Sequence, residues 1–150
     1  MIDDYLAVVD GKNRTMYASL SEDNGLWGPF IEKAFAKFYG NFHHINGGDP
    51  CDAVEVLNGS PSTRVDHDIE SNRKEKKEAL QSADEVFALL QKHDSKNDIM
   101  TAIAPMSSGG DSDKSKYGIY LSHAYSVIRA FVLESTGDKL VEVRNPWGVG

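Results

Sequence analysis

The first forty residues carry two different apolar patterns. Tyr5–Asp10 and Thr15–Leu20 are short apolar runs separated by an Asp-Gly turn signal, which predicts a β-hairpin. Apolar residues at steps of three and four then predict an amphipathic helix, with Pro29 in its first turn and Gly40 just after its end. The residues of this stripe are Leu26, Trp27, Phe30, Ile31, Ala34, Phe35 and Phe38.

The middle of the chain predicts two further helices with a charged segment between them. A short helix is expected from about Asp52 to Leu57. The stretch Ser60–Glu78 is highly charged and lacks apolar periodicity, so it is a solvated loop or an exposed helical stretch. Ser82 and Glu85 have the spacing of a capping box, which predicts a helix that begins there and ends near His93.

The last third of the chain is rich in strand patterns. Ile99–Ala104 predicts a strand, and the Gly/Ser/Asp-rich segment Pro105–Lys116 predicts a mobile loop. Tyr117–Leu133 is one long β-prone run, and a Gly-Asp turn leads from it into another strand over Leu140–Val143. Helices followed by antiparallel strands predict an α+β fold, which we expect to form a single domain over residues 1–150.

Composition narrows the function classes. A formal charge of -7, with 40% hydrophobic and 26% charged residues, is typical of a globular protein and argues against nucleic-acid binding. The single cysteine, Cys51, excludes an intramolecular disulfide and favours a reducing, cytoplasmic setting. The N-terminus resembles neither a signal peptide nor a membrane span. His43-His44 and the loop from Asp111 lack metal-ligand spacing, so no metal site is predicted.

His123 is the histidine that stands out, because apolar residues flank it within the predicted strand. It is either a hydrogen-bonded core residue or a positioned base. Asn145 lies 22 residues further on, directly after a strand that hairpin geometry would place beside that of His123. An amide that orients an imidazole belongs to a Cys-His-Asn arrangement, and Trp147 could cover the contact from water. Alternatively, Asn-Pro-Trp-Gly is simply a tight turn with a packed tryptophan.

Two motifs together resemble those of the calpain family of papain-like proteases. Leu121–Val127 is similar to the family's histidine motif, and Val143–Gly148 to its asparagine motif. Leu26–Trp27 with Glu32–Lys37 is similar to the helix that opens the C-terminal subdomain of the protease core. The resemblance implies half of a papain-like fold, an antiparallel sheet or half-barrel with a few packed helices. The charged segment Ser60–Glu78 departs from the family.

The resemblance also implies roles for individual residues. His123 would be the general base and acid, and Asn145 would orient it. Trp147 would shape the site, since the corresponding calpain tryptophan stands between the two halves of the core until calcium binds. Pro105–Lys116 would gate the substrate cleft. Calpains bind calcium in this half through acidic residues after the Asn-Pro-Trp-Gly motif, so no cofactor is expected within this chain, whereas calcium is expected for the full-length protease.

No residue of this sequence matches the nucleophilic cysteine of the family. It lies in a Gly-x-Cys-Trp segment upstream of the histidine, whereas Cys51 is followed by Asp52. The sequence therefore predicts the His/Asn half of an intracellular, calpain-like cysteine endopeptidase acting on proteins. That half would be inactive without an N-terminal subdomain that supplies the cysteine. The alternative is a non-catalytic binding or regulatory module from a parent that lacks this cysteine.

Overall fold

The structure is a computed structural model that describes residues 1–65 and 82–147. The chain divides into two compact units, Met1–Ser60 and Pro61–Gly150. The described residues contain three α-helices and a three-stranded antiparallel sheet, so the predicted α+β class is confirmed. Most of the charged segment predicted over Ser60–Glu78 lies outside the described residues. No helix in the described ranges is long and apolar enough to cross a membrane.

The first unit begins with a turn where the hairpin was predicted. Val8 and Thr15 form an isolated antiparallel bridge, and the Met16 amide donates to the Ala7 carbonyl at 2.8 Å. Neither flanking segment continues as a strand, so the predicted hairpin is reduced to this bridge. Tyr5 and Val8 remain in solvent, and a two-stranded hairpin without a packed apolar face is only marginally stable.

Helix α1 spans Trp27–Tyr39 and confirms the predicted amphipathic helix. It buries Ala36 and Pro29 and ends at Gly40, whose φ of 103° lies in the left-handed region that favours glycine. A short 3-10 helix follows at Phe42–Ile45.

Helix α2 spans Pro50–Asn58 and begins two residues earlier than the predicted Asp52. The Asp49 carboxylate caps it by accepting a hydrogen bond from the Cys51 amide at 2.9 Å. Because proline has no amide hydrogen, Pro50 fits the first helical position without losing a bond. Gly59 ends the helix with a φ of 67°.

Helix α3 spans Ala83–Asp94 and confirms the predicted capping box. The Ser82 amide donates to Glu85 Oε2 at 2.6 Å, and the Glu85 amide donates to Ser82 Oγ at 3.2 Å. Phe87 is the buried residue of this helix, which packs on the sheet.

The sheet has the order β1-β2-β3, with all neighbours antiparallel. Strand β1 is Met100–Ile103, β2 is Ala124–Val132 and β3 is Lys139–Arg144. Val127 pairs with Met100 on one side and with Val143 on the other. The core of this unit therefore lies between α3 and the central strand. Its buried residues are Phe87, Tyr125, Val127 and Ala130.

An irregularity in β2 lies between Val127 and Arg129, just beyond the end of the pairing with β1. There the Asp94 carboxylate, at the end of α3, accepts a hydrogen bond from the buried Ala130 amide at 3.1 Å. The Asp94 side chain therefore supplies the acceptor that β1 would have provided if it extended this far.

The long strand predicted over Tyr117–Leu133 is wrong in its first seven residues. Residues 117–123 form turns and bends around an isolated antiparallel bridge between Tyr120 and Lys114, and β2 begins only at Ala124. Gly118 and Ser122 have φ values of 83° and 48°, which are incompatible with an extended strand. His123 therefore lies immediately before the strand rather than within it.

Candidate active site

The pairing of β2 with β3 determines where His123 and Asn145 meet. His123 directly precedes β2, Asn145 directly follows β3, and Ser126 pairs with Arg144 near these two ends. In an antiparallel pair the start of one strand lies beside the end of its neighbour. The structure accordingly brings His123 Nε2 to 2.9 Å from Asn145 Oδ1.

A second hydrogen bond identifies the asparagine atom that faces the imidazole. The Trp147 amide donates to the same atom of Asn145, at 3.1 Å. A backbone N–H can only donate, so this atom must be the carbonyl oxygen rather than the amide nitrogen. His123 Nε2 is then the donor of the 2.9 Å bond, and in the neutral ring Nδ1 carries the free lone pair.

The Nδ1 atom is thus the basic atom of this imidazole. Within residues 1–65 and 82–147, the hydrogen bonding of the His123 ring is confined to Nε2 and Asn145. The ring is half-buried. The arrangement can therefore take a proton at Nδ1 while Nε2 remains anchored, which is what a positioned general base requires.

Aromatic rings surround the imidazole on several sides. The Trp147 ring centroid lies 4.4 Å from that of His123, and the Tyr125 ring meets His123 edge-on at 4.9 Å. Tyr120 meets Trp147 edge-on, with the two centroids 4.6 Å apart. The structure thus brings together all three predicted site residues, namely His123, Asn145 and Trp147.

The loop Pro105–Lys116 is hydrogen-bonded to the segment that presents His123. The Ser122 amide donates to the Pro105 carbonyl at 2.8 Å, and the Ser107 amide donates to Ser122 Oγ at 2.8 Å. Asp113 accepts from the Ser107 hydroxyl, and the loop contains a 3-10 turn at Gly110–Ser112. The segment predicted as a mobile loop is therefore attached directly to the residue before the candidate base.

Cys51 lies in the first turn of α2, in the Met1–Ser60 unit. Its backbone amide donates a hydrogen bond to the Asp49 carboxylate, and the residue is half-buried. The histidine and asparagine belong to the Pro61–Gly150 unit.

Sequence reasoning did not single out Tyr120 and Tyr125, although both contribute to the aromatic cluster. Tyr125 could have been found, because residues two apart at a strand start share one face, so it lies on the side of His123. Tyr120 could not, because its position depends on the turns that replaced the predicted strand.

Comparison with known proteins agrees with the motifs. A sequence profile described as "Calpain family cysteine protease" matches residues 1–150. The chain is 28% identical over 154 residues to Calpain-A of Drosophila melanogaster, which covers 99% of this chain and 17% of that protein. It is 30% identical over 147 residues to the calpain-type cysteine protease DEK1 of Arabidopsis thaliana, covering 98% and 6%. With the calpain-2 catalytic subunit of Mus musculus it shares 28% identity over 151 residues, covering 99% and 20%.

These matches define the class as cysteine proteases, which agrees with a site built on an oriented imidazole. The chain belongs to the calpain family of cysteine proteases. It spans only 6% to 20% of the length of these three relatives.

The calcium expected for this family needs a cluster of acidic ligands. Within the described ranges, no group of three or more His, Cys, Asp or Glu side chains is arranged to hold a metal ion. The described residues therefore do not fit such a site.

Proposed function

We propose that this chain is the C-terminal, His/Asn-bearing half of a calpain-like cysteine endopeptidase core. Its partner would be an N-terminal subdomain that supplies the nucleophilic cysteine, and its substrates would be proteins. The observation that supports this most strongly is the 2.9 Å bond from His123 Nε2 to an Asn145 oxygen whose identity the Trp147 amide fixes.

In the proposed mechanism, Nδ1 of His123 takes the proton from the partner's thiol. The resulting thiolate attacks the peptide carbonyl carbon, and the protonated imidazole then gives its proton to the leaving amine. Water then attacks the acyl carbon while Nδ1 takes its proton, and the imidazole returns this proton to the sulfur as the acyl group leaves as a carboxylic acid. Asn145 holds Nε2–H throughout, so the ring keeps Nδ1 directed at the sulfur, and Trp147 shields this hydrogen bond from water.

The isolated chain is proposed to be inactive because the reaction has no thiolate. Cys51 does not stand in a Gly-x-Cys-Trp segment, and its amide donates to the Asp49 carboxylate that caps α2. We propose that the full-length protease depends on calcium, as the resemblance to calpains implies. We also propose a cytoplasmic setting, since the chain has one cysteine and no disulfide of its own.

The proposal is tested by mixing the chain with the cysteine-bearing segment of its parent protein and calcium, and following a fluorogenic peptide. Neither piece alone should turn over substrate, whereas the mixture should. His123→Ala should reduce kcat/KM by about 10²–10⁴-fold, the usual contribution of a positioned acid–base residue.

His43→Ala is the matched control, because it removes an exposed imidazole from the first unit. It should leave the rate unchanged. Activity that survives His123→Ala would refute the proposed role. Labelling of Cys51 by an epoxide that captures papain-like thiolates would refute a different part of the proposal, namely that the chain has no nucleophile of its own. A parent whose first half has no cysteine would instead establish the alternative, a non-catalytic calpain-like module.

A further inference from the structure

The hydroxyl of Tyr125 forms two hydrogen bonds with the backbone of a single residue, Tyr120. Tyr125 is only 7% exposed, and its hydroxyl accepts a hydrogen bond from the Tyr120 amide at 2.8 Å. The same hydroxyl donates to the Tyr120 carbonyl at 3.4 Å. One phenol therefore satisfies both backbone groups of a residue in the turn that precedes β2, and so fixes that turn to the core.

The ring of Tyr120 transmits this constraint to the candidate site. Its centroid lies 4.6 Å from that of Trp147, and the Lys114 ammonium lies 4.2 Å from the Tyr120 centroid. Trp147 in turn lies 4.4 Å from His123. A continuous series of contacts thus runs from a buried hydroxyl to the imidazole.

Trp147 needs such a support. Trp147 is 43% exposed, and it follows the last strand instead of lying within it. Its backbone is held by Asn145, but that bond does not determine the direction of the side chain. The hydrogen bond to Asn145 holds only the backbone of Trp147, whereas the Tyr120 ring contacts its indole.

We propose that Tyr125 is a positioning residue of the candidate active site. Its hydroxyl holds Tyr120 in place, and Tyr120 keeps the Trp147 indole over the His123–Asn145 hydrogen bond. The catalytic meaning of this arrangement rests on the proposed function, but the arrangement itself can be measured without any turnover.

The test uses Tyr125→Phe in the 150-residue chain, with Trp27→Phe so that Trp147 is the only tryptophan. If the edge-to-face contact between Tyr120 and Trp147 is lost, conformations in which the Trp147 indole is released should become roughly two- to twelve-fold more populated. Acrylamide quenching of Trp147 fluorescence should rise. Exchange of the His123 Nε2 hydrogen with water, followed by ¹⁵N NMR, should accelerate by a similar factor.

Two further variants make the test decisive. Tyr120→Leu removes the ring but leaves the backbone groups that Tyr125 binds, so it should give the same changes, and it carries the test if Tyr125→Phe does not fold. Tyr117→Phe alters a 79% exposed tyrosine of the same turn and should change neither signal. Unchanged quenching and exchange in a folded Tyr125→Phe or Tyr120→Leu variant would overturn the proposal. Failure of the proposed function would appear separately, as turnover that does not depend on His123.

Discussion

Replacing Asn145 tests the orientation of the imidazole directly. Asn145→Leu keeps a side chain of similar size but removes the oxygen that accepts from His123 Nε2. Asn145→Asp keeps an acceptor at the same place. The two variants therefore differ in whether the Nε2 hydrogen has a partner, while the packing volume remains similar.

Asn145→Leu removes the acceptor of both the His123 Nε2–H and the Trp147 amide, and the expected change in tautomer ratio follows from the bond to His123. An intramolecular hydrogen bond contributes a net ~0.5–1.5 kcal/mol, which corresponds to a roughly two- to twelve-fold change in an equilibrium ratio. The bond has an ordinary length of 2.9 Å and its two residues are half-buried, so the effect should lie within this range. Asn145→Leu should lower the ratio of the Nε2–H tautomer to the Nδ1–H tautomer by that factor, whereas Asn145→Asp should not lower it.

The assay is ¹⁵N NMR of the chain labelled at histidine, above the pH at which the rings are protonated. The two tautomers are distinguished by the shifts of their protonated and unprotonated nitrogens. The reasoning would fail if Asn145→Leu left the His123 tautomer ratio unchanged while the chain stayed folded. It would also fail if Asn145→Asp and Asn145→Leu gave the same ratio.

Two further predictions concern the scaffold that carries the site. Asp94→Ala leaves the buried Ala130 amide without its acceptor and should reduce the free energy of unfolding by about 1–3 kcal/mol, measured by urea denaturation. The exposed control Asp111→Ala should have little effect. The Lys139 ammonium holds the pKa of the Asp84 carboxyl below its usual value, so this carboxylate stabilises the fold above its unfolded pKa. The unsubstituted chain should therefore have a higher urea midpoint than Asp84→Asn, and this difference should disappear as the pH falls through the lowered pKa. A difference that grows in acid would refute this.

The elements that the sequence predicts correctly are those with strong local signals. Helix α1 has a broad apolar stripe and a terminal glycine, and α3 has both partners of its capping box. The position of Asn145 after the last strand also followed from the pattern. Such features depend on residues within a few positions of one another, so no tertiary information is needed to find them.

The errors have the opposite character. The predicted strand around His123 failed because Gly118 and Ser122 adopt positive φ, and serine has no general preference for that region. The conformation of Ser122 is supported by residues distant in the chain, through the bond from the Ser107 amide to Ser122 Oγ and the bond from the Ser122 amide to the Pro105 carbonyl. A local pattern cannot reveal a conformation that is stabilised by contacts of this kind.

The asparagine motif combines the two interpretations that its sequence left open. The Trp147 amide bonds to the Asn145 side chain two residues earlier, which is the geometry of an Asx-turn. Pro146 lies between them and has no amide hydrogen, so it cannot compete for the oxygen. The turn thereby fixes which end of the amide faces His123, and that choice decides which imidazole nitrogen keeps its hydrogen. The tight turn with its packed tryptophan is therefore compatible with the proposed oriented base, because the same turn holds the amide that bonds to the imidazole.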